Sequence, residues 1–131
     1  MLVLDHVSIS VPSIDIARPF YDAIMAALGV DKVYDRPAAL GYGARCNASE
    51  PFHTYLAIYE SATANVDEKR HWCFKATSRA QVNAFYAAGL TTGGKDDGAP
   101  GLRPQYHEGY FAAFLLDPFG NRVEAVCHRV E

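Results

Sequence analysis

The feature that most constrains the fold of this chain is an internal repeat at an offset of 65 residues. At this offset the segment HVSISVPSIDIARPFY (6–21) aligns with HWCFKATSRAQVNAFY (71–86). Identical residues at this offset include His6 with His71, Ser13 with Ser78, Phe20-Tyr21 with Phe85-Tyr86, and Gly29 with Gly94. Because a repeated segment of this kind marks one supersecondary unit, the chain is predicted to contain two copies of the same unit.

Each copy has the pattern of a strand, a helix and three further strands. Residues 7–11 alternate between apolar and polar side chains as a half-buried strand does, and an apolar stripe at helical spacing follows in each copy. Ser13 and Ser78 are the predicted N-caps. Pro19 disturbs the first helix, so its first turn is irregular or the helix begins near Arg18. The later strands are predicted at about 31–36, 38–43 and 53–60, and at about 95–99, 109–116 and 121–127.

The predicted fold class is α+β, with two βαβββ modules. The two copies occupy residues 1–62 and 69–131, with a polar linker between them. Since neither copy can bury its sheet face by itself, we expect residues 1–131 to form a single domain.

Composition excludes several classes of partner. A net charge of −3 without a basic stripe gives no reason to expect nucleic acid. No apolar run is long enough to span a bilayer, and the start MLVLDHVSIS lacks the features of a signal peptide. Three unclustered cysteines, an odd number, favour reduced thiols. We therefore expect a cytoplasmic protein without nucleic-acid or membrane partners.

The repeat also predicts a metal site. His6 and His71 each open the first strand of a copy, and Glu124 lies among apolar residues on the last strand. Taken singly, such histidines are more often surface or core residues. A carboxylate on a covered strand, however, needs a cation or hydrogen-bond donors. Two imidazoles and a carboxylate suit Zn, Fe, Ni, Mn or Co and leave positions open for substrate, so these three residues are the predicted ligands.

A fourth ligand is less well determined. Glu60 lies 54 residues after His6, and Glu124 lies 53 residues after His71, which makes Glu60 the natural candidate. A second register aligns Leu56 with Glu124 and leaves the site without a fourth ligand. Glu60 then only ends its strand in solvent.

Three segments resemble the glyoxalase / bleomycin-resistance / extradiol-dioxygenase superfamily, also called the vicinal oxygen chelate fold. They are LDHVSISVPSIDIARPFYDAIMAALG, HWCFKATSRAQVNAFYAAGL and DPFGNRVEAVCH, and the Asp-Pro-x-Gly-Asn turn before a strand Glu is the more specific mark. The resemblance implies that the two modules form a curved, half-open mixed sheet around a central cavity. It also implies metal ligands at His6, His71 and Glu124, a substrate that chelates the metal through adjacent oxygens, and a homodimer. It also implies a catalytic base at Glu60 in the isomerase-like branch.

The segment RPQYHEGY (103–110) resembles one found in small bacterial relatives. Tyr106 and His107 are predicted to face the cavity as catalytic groups, because histidine transfers protons near neutral pH. The alternative is a polar loop in which Tyr110 packs on the core. Arg103 is a weaker candidate for gripping an anion, and His53 and His128 are expected at the surface.

Two functions remain open at this point. The first is a metal-dependent lyase, isomerase or dioxygenase acting on a small oxygen-chelating molecule. The second is a metal-free protein that binds or sequesters a small molecule, as drug-resistance members do. An intact set of three ligands favours the first, and a missing fourth ligand favours the second.

Overall fold

The computed structural model describes residues 3–131, so the predicted repeat boundary at residue 1 lies outside the described residues. In chain order the elements are β1 (His6–Val11), α1 (Ile14–Ala27), β2 (Lys32–Arg36), β3 (Ala39–Gly43), β4 (Tyr55–Glu60), β5 (His71–Lys75), α2 (Arg79–Leu90), β6 (Lys95–Leu102), β7 (Phe111–Leu116) and β8 (Arg122–Cys127). This order confirms the predicted α+β class and its two βαβββ modules.

Each module forms an open, mixed sheet of four strands. The strand orders are β1-β4-β3-β2 and β5-β8-β7-β6, so the second sheet repeats the first. The helix that follows the first strand of each module carries the chain across the sheet. As a result, β4 returns parallel to β1 and β8 returns parallel to β5, whereas the other neighbours are antiparallel.

Both helices begin at the predicted serine caps. The hydroxyl of Ser13 accepts a hydrogen bond from the Ile16 amide at 3.3 Å, and that of Ser78 accepts one from the Gln81 amide at 3.1 Å. The regular helix therefore starts at Ile14 rather than near Arg18. Pro19 is tolerated inside α1 because it lies on the exposed side, where water can satisfy the carbonyl group that lost its partner.

The two helices pack against each other and share one hydrophobic core. Their close approach depends on Gly89 of α2. A Cβ atom at this position would lie 2.3 Å from Leu115 Cδ1 and 3.2 Å from the Phe20 ring, so no larger residue fits without displacing its neighbours. The shared core joins the two modules through side chains of α1, α2 and β7.

A buried hydrogen bond joins the modules at the turn between β7 and β8. The hydroxyl of Tyr21 on α1 donates to Asp117 Oδ2 at 2.6 Å, and both residues are buried. The same carboxylate accepts hydrogen bonds from the amides of Phe119 and Asn121 and from the Asn121 side chain. The Asp-Pro-x-Gly-Asn turn is thus held from inside and is tied to the helix of the other module.

No helix in residues 3–131 is both long enough and apolar enough to cross a membrane.

We expect Tyr21→Phe to lower the free energy of unfolding by about 1–3 kcal/mol, because it removes a donor from a buried carboxylate. Urea denaturation followed by circular dichroism measures this change. Tyr86 is the repeat-related control, since its hydroxyl donates to the exposed Asp96 at 2.9 Å. Tyr86→Phe is expected to cost less than about 0.5 kcal/mol. Equal losses in the two variants would show that the hydrogen bond between Tyr21 and Asp117 stabilises the fold no more than the exposed one between Tyr86 and Asp96.

Candidate functional site

His71 and Glu124 come together on neighbouring strands of the second sheet. On β5 the side chains of Trp72 and Phe74 pack towards the core, so His71 and Cys73 point to the opposite face. Cys73 is directly opposite Glu124 in the parallel β5–β8 ladder, which brings Glu124 to that same face. His71 Nε2 lies 3.4 Å from Glu124 Oε1. Two of the three predicted ligands are therefore adjacent.

The Glu124 carboxylate is buried, with 3% of the residue exposed. Its second oxygen, Oε2, accepts a hydrogen bond from the Tyr110 hydroxyl at 2.5 Å. Burial, together with the nearby carboxylate, raises the pKa of Tyr110 and raises the pKa of the Cys73 thiol to about 12. Both groups consequently stay protonated at neutral pH and surround the carboxylate with neutral donors.

His6 is oriented by its neighbour Asp5. Its Nδ1 lies 2.7 Å from Asp5 Oδ1, and since a carboxylate only accepts, Nδ1 carries the proton and donates it. The hydrogen bond to His6 is the main cause of the lowered pKa of Asp5. In the neutral imidazole this arrangement leaves the lone pair on Nε2, as a metal-binding histidine requires.

His6 and His71 line the same cavity, which has a volume of about 640 Å³. Its walls also include Tyr55, on which the His6 ring stacks with 5.0 Å between ring centroids. Within residues 3–131, however, no three His, Cys, Asp or Glu side chains lie close enough to hold one metal ion. A single chain therefore brings His71 and Glu124 together and leaves His6 outside their immediate contact.

The chemistry of this donor set fits a divalent metal. His71 offers an imidazole that is half exposed, and Glu124 offers a buried carboxylate with one oxygen directed at it. Such a carboxylate is costly to bury unless a cation or several donors accompany it. A dication would be held by His71, Glu124 and a histidine oriented in the same way as His6. Such a set of three ligands leaves coordination positions open for small molecules.

The position equivalent to Glu124 in the first module holds Ala57. Ser8, two residues after His6, is paired with Ala57, as Cys73, two residues after His71, is paired with Glu124. Neither register considered from the sequence, with Glu60 or with Leu56 at this position, matches this pairing.

Glu60 itself lies at the far end of β4, opposite Val11 of β1. Its Oε1 accepts a hydrogen bond from the Ile14 amide at 3.0 Å, which places a carboxylate at the N-terminus of α1. Its role as a catalytic base stays a prediction.

The predicted catalytic segment forms a cluster of rings beside Glu124. His107 Nδ1 lies 2.6 Å from the Glu108 carbonyl oxygen, so this nitrogen donates. His107 Nε2 lies 2.8 Å from His128 Nδ1, and in the neutral His107 ring it accepts a hydrogen bond from that nitrogen. The His107 ring meets the Tyr110 ring edge-on at 5.3 Å, and Tyr106 lies 4.8 Å from the same ring. Tyr110 thus stands between these residues and the carboxylate.

The sequence does not assign a functional role to two members of this cluster, Tyr110 and His128. Packing of Tyr110 on the core is only the alternative interpretation of its segment. His128 is exposed, as predicted, and in addition contacts His107. The sequence does contain a signal for His128, which directly follows β8 and lies four residues after Glu124. Residues an even number of positions apart on a strand lie on the same face of the sheet. Arg103, the candidate for gripping an anion, instead donates to the Ala99 carbonyl group at 2.8 Å and stacks over Phe114.

Comparison with solved structures gives consistent matches over the whole chain. A glyoxalase/bleomycin resistance protein from Albidiferax ferrireducens T118 is 27% identical, with a TM-score of 0.77 and coverage of 95% of this chain and 97% of that one. A glyoxalase/bleomycin resistance protein/dioxygenase family enzyme from Burkholderia phytofirmans PsJN is 17% identical, with a TM-score of 0.66 and coverage of 95% and 98%.

A glyoxalase-related enzyme from Fulvimarina pelagi shares the fold at 14% identity, with a TM-score of 0.68 and coverage of 97% and 88%. No protein-family model and no curated protein matches the sequence. The repeated βαβββ modules and these structural neighbours place the chain in the glyoxalase / bleomycin-resistance / dioxygenase superfamily.

Proposed function

We propose that the protein is a divalent-metal-dependent enzyme of lyase, isomerase or dioxygenase type. Its substrate is a small molecule with neighbouring oxygen donors. The observation that carries this proposal is the buried Glu124 carboxylate with His71 Nε2 at 3.4 Å. His71 and Glu124 hold the metal, which is Zn, Fe, Ni, Mn or Co, and His6 is the third ligand.

When bound, the metal supplies Lewis acidity to the substrate oxygens. The protein residues around it bind, orient and move protons. Tyr110 holds Oε2 of Glu124, so that Oε1 keeps its direction towards His71. His107 is the proposed proton-transfer residue, with Tyr106 as a substrate contact beside it. Glu60 is a weaker candidate for this role, since its carboxylate contacts the N-terminus of α1.

We propose a homodimer, because within residues 3–131 of one chain His6 lies outside the immediate contact of His71 and Glu124. His6 of one copy joins His71 and Glu124 of the second copy when a first module faces a second module across the interface. Exposed apolar side chains support such an interface, since Leu4 on the cavity wall is 61% exposed and Phe52 is 81% exposed. We further propose a cytoplasmic location, in keeping with the free cysteines at 46, 73 and 127.

The second candidate function is small-molecule binding without a metal. It is favoured by the volume of the cavity, about 640 Å³, which lies in the range of ligand sites, and by its largely apolar walls. The two candidates differ in a single measurable property, which is the uptake of metal.

Protein purified without chelators and incubated with Zn²⁺, Ni²⁺, Mn²⁺ or Fe²⁺ is expected to retain about one metal ion per chain after gel filtration. His71→Ala should lower this to less than about 0.1 ion and abolish the rise in melting temperature that metal produces. Elemental analysis and thermal unfolding measure both effects. His53→Ala is the matched control, because His53 pairs with Glu50 on the surface. Unchanged uptake in His71→Ala would contradict the proposed ligands.

Light scattering coupled to gel filtration is expected to give twice the chain mass of 14.4 kDa. Leu4→Glu should shift the protein to the monomer and remove metal uptake with it, because the ligands come from two copies. Leu90→Glu is the control, since Leu90 is exposed on α2. A monomeric wild-type protein that binds a full equivalent of metal would refute the shared site.

A further inference from the structure

The outer face of the first sheet differs from that of the second, although the modules are repeats. The ladder pairs place Ser8, Ala57, Gly41 and Tyr34 side by side across β1, β4, β3 and β2. A Cβ atom at Gly41 would lie 2.6 Å from the Tyr34 ring, which therefore lies directly over this glycine. Small residues form the floor of this face, and a large aromatic ring covers it.

Five side chains form what we call the tyrosine–arginine patch: Tyr34, Arg36, Arg45, Tyr55 and Tyr59. The guanidinium carbon of Arg36 lies 4.4 Å from the centroid of the Tyr34 ring. That of Arg45 lies 5.8 Å from the Tyr34 ring and 5.3 Å from the Tyr55 ring. Burial is the main cause of the raised pKa of Tyr34, and the neighbouring Tyr59 hydroxyl adds to it. The patch is therefore a connected cluster.

The two arginines lack a counter-charge. Within residues 3–131 neither Arg36 nor Arg45 forms an ion pair, whereas Arg18 and Lys32 of the same module are paired with aspartates. Both guanidinium groups contact the Tyr34 ring, so two like charges are held around one aromatic side chain. In a chain of net charge −3, this is a local positive site that an anion would stabilise.

The chemistry of the patch specifies the anion. Guanidinium groups bind carboxylates through two parallel hydrogen bonds. Tyr59, which is 46% exposed, offers an aromatic face to a planar ligand beside them. Tyr55 connects the patch to the cavity, because its ring centroid lies 5.3 Å from the Arg45 guanidinium carbon and its ring stacks on that of His6. A ligand on the patch thus lies one aromatic ring away from His6.

We infer that the tyrosine–arginine patch binds the carboxylate of a small aromatic carboxylic acid, and that this is the class of substrate presented to the site. The statement that this acid is the substrate rests on the proposed function. The binding itself needs no metal, because every residue of the patch lies on the first module and none is a proposed ligand. The first module thereby recognises the molecule, and the second module carries the carboxylate for the chemistry.

The test uses chelator-treated protein and isothermal titration with 2-naphthoate and with its neutral analogue 2-naphthamide. The naphthoate is expected to bind at least about tenfold more tightly than the amide and to weaken with added salt. Arg36→Gln and Arg45→Gln should each weaken naphthoate binding at least about fivefold and leave amide binding unchanged. Arg70→Gln is the control, since Arg70 stacks over Trp72 outside the patch.

Equal binding of the two compounds, or naphthoate binding that survives both arginine substitutions, would overturn the inference. Naphthoate binding that requires added metal would overturn it as well. The substituted arginines are exposed, and unchanged melting temperatures confirm that the variants are folded. If the protein takes up no metal but naphthoate still binds through the arginines, the patch stands and the proposed enzyme function fails.

Discussion

The buried Asp117 carboxylate is the interaction on which the rest of the structure depends. It accepts hydrogen bonds from the amides of Phe119 and Asn121, from the Asn121 side chain and from the Tyr21 hydroxyl. The first three fix the turn that starts β8, and the fourth ties this turn to α1 of the other module. Since Glu124 lies three residues beyond Asn121, the same carboxylate that joins the modules also sets the strand that carries the candidate site.

From this shared frame the two modules have diverged in chemistry. Equivalent rungs of the two ladders hold Ala57 in the first module and Glu124 in the second. The first module has Ala57 in place of the carboxylate and carries aromatic and cationic side chains around Tyr34. Repetition thus supplies two similar sheet faces, and the side chains divide them into one that is polar and acidic and one that is aromatic and basic.

Much of the fold followed from the sequence, because periodicity and turn chemistry act locally. The serine caps and the turn at Asp117 can each be predicted from a few neighbouring residues, and the repeat is found by aligning the sequence with itself. The register between β1 and β4 was not readable, since it depends on the length of the intervening chain as folded, and a shift of one residue separates Leu56 from Ala57. The contact of His107 with His128 was missed for the same reason: it joins residues 21 positions apart through a loop whose path is set by packing.

The second module has two buried carboxylates with different surroundings, Asp117 in the turn before β8 and Glu124 at the candidate site. Asp117 is surrounded by four donors, including two backbone amides, so its acceptor oxygens are hydrogen-bonded within the fold. Glu124 receives one hydroxyl, from Tyr110, and has a neutral thiol and an imidazole nearby. Moving a carboxylate from water into the protein interior costs roughly several kcal/mol, unless a cation or hydrogen-bond donors replace the water molecules that it loses. Four donors accomplish this at Asp117. At Glu124 the protein provides fewer, and Oε1 faces His71, which is the observation behind our proposal that a cation binds at this carboxylate.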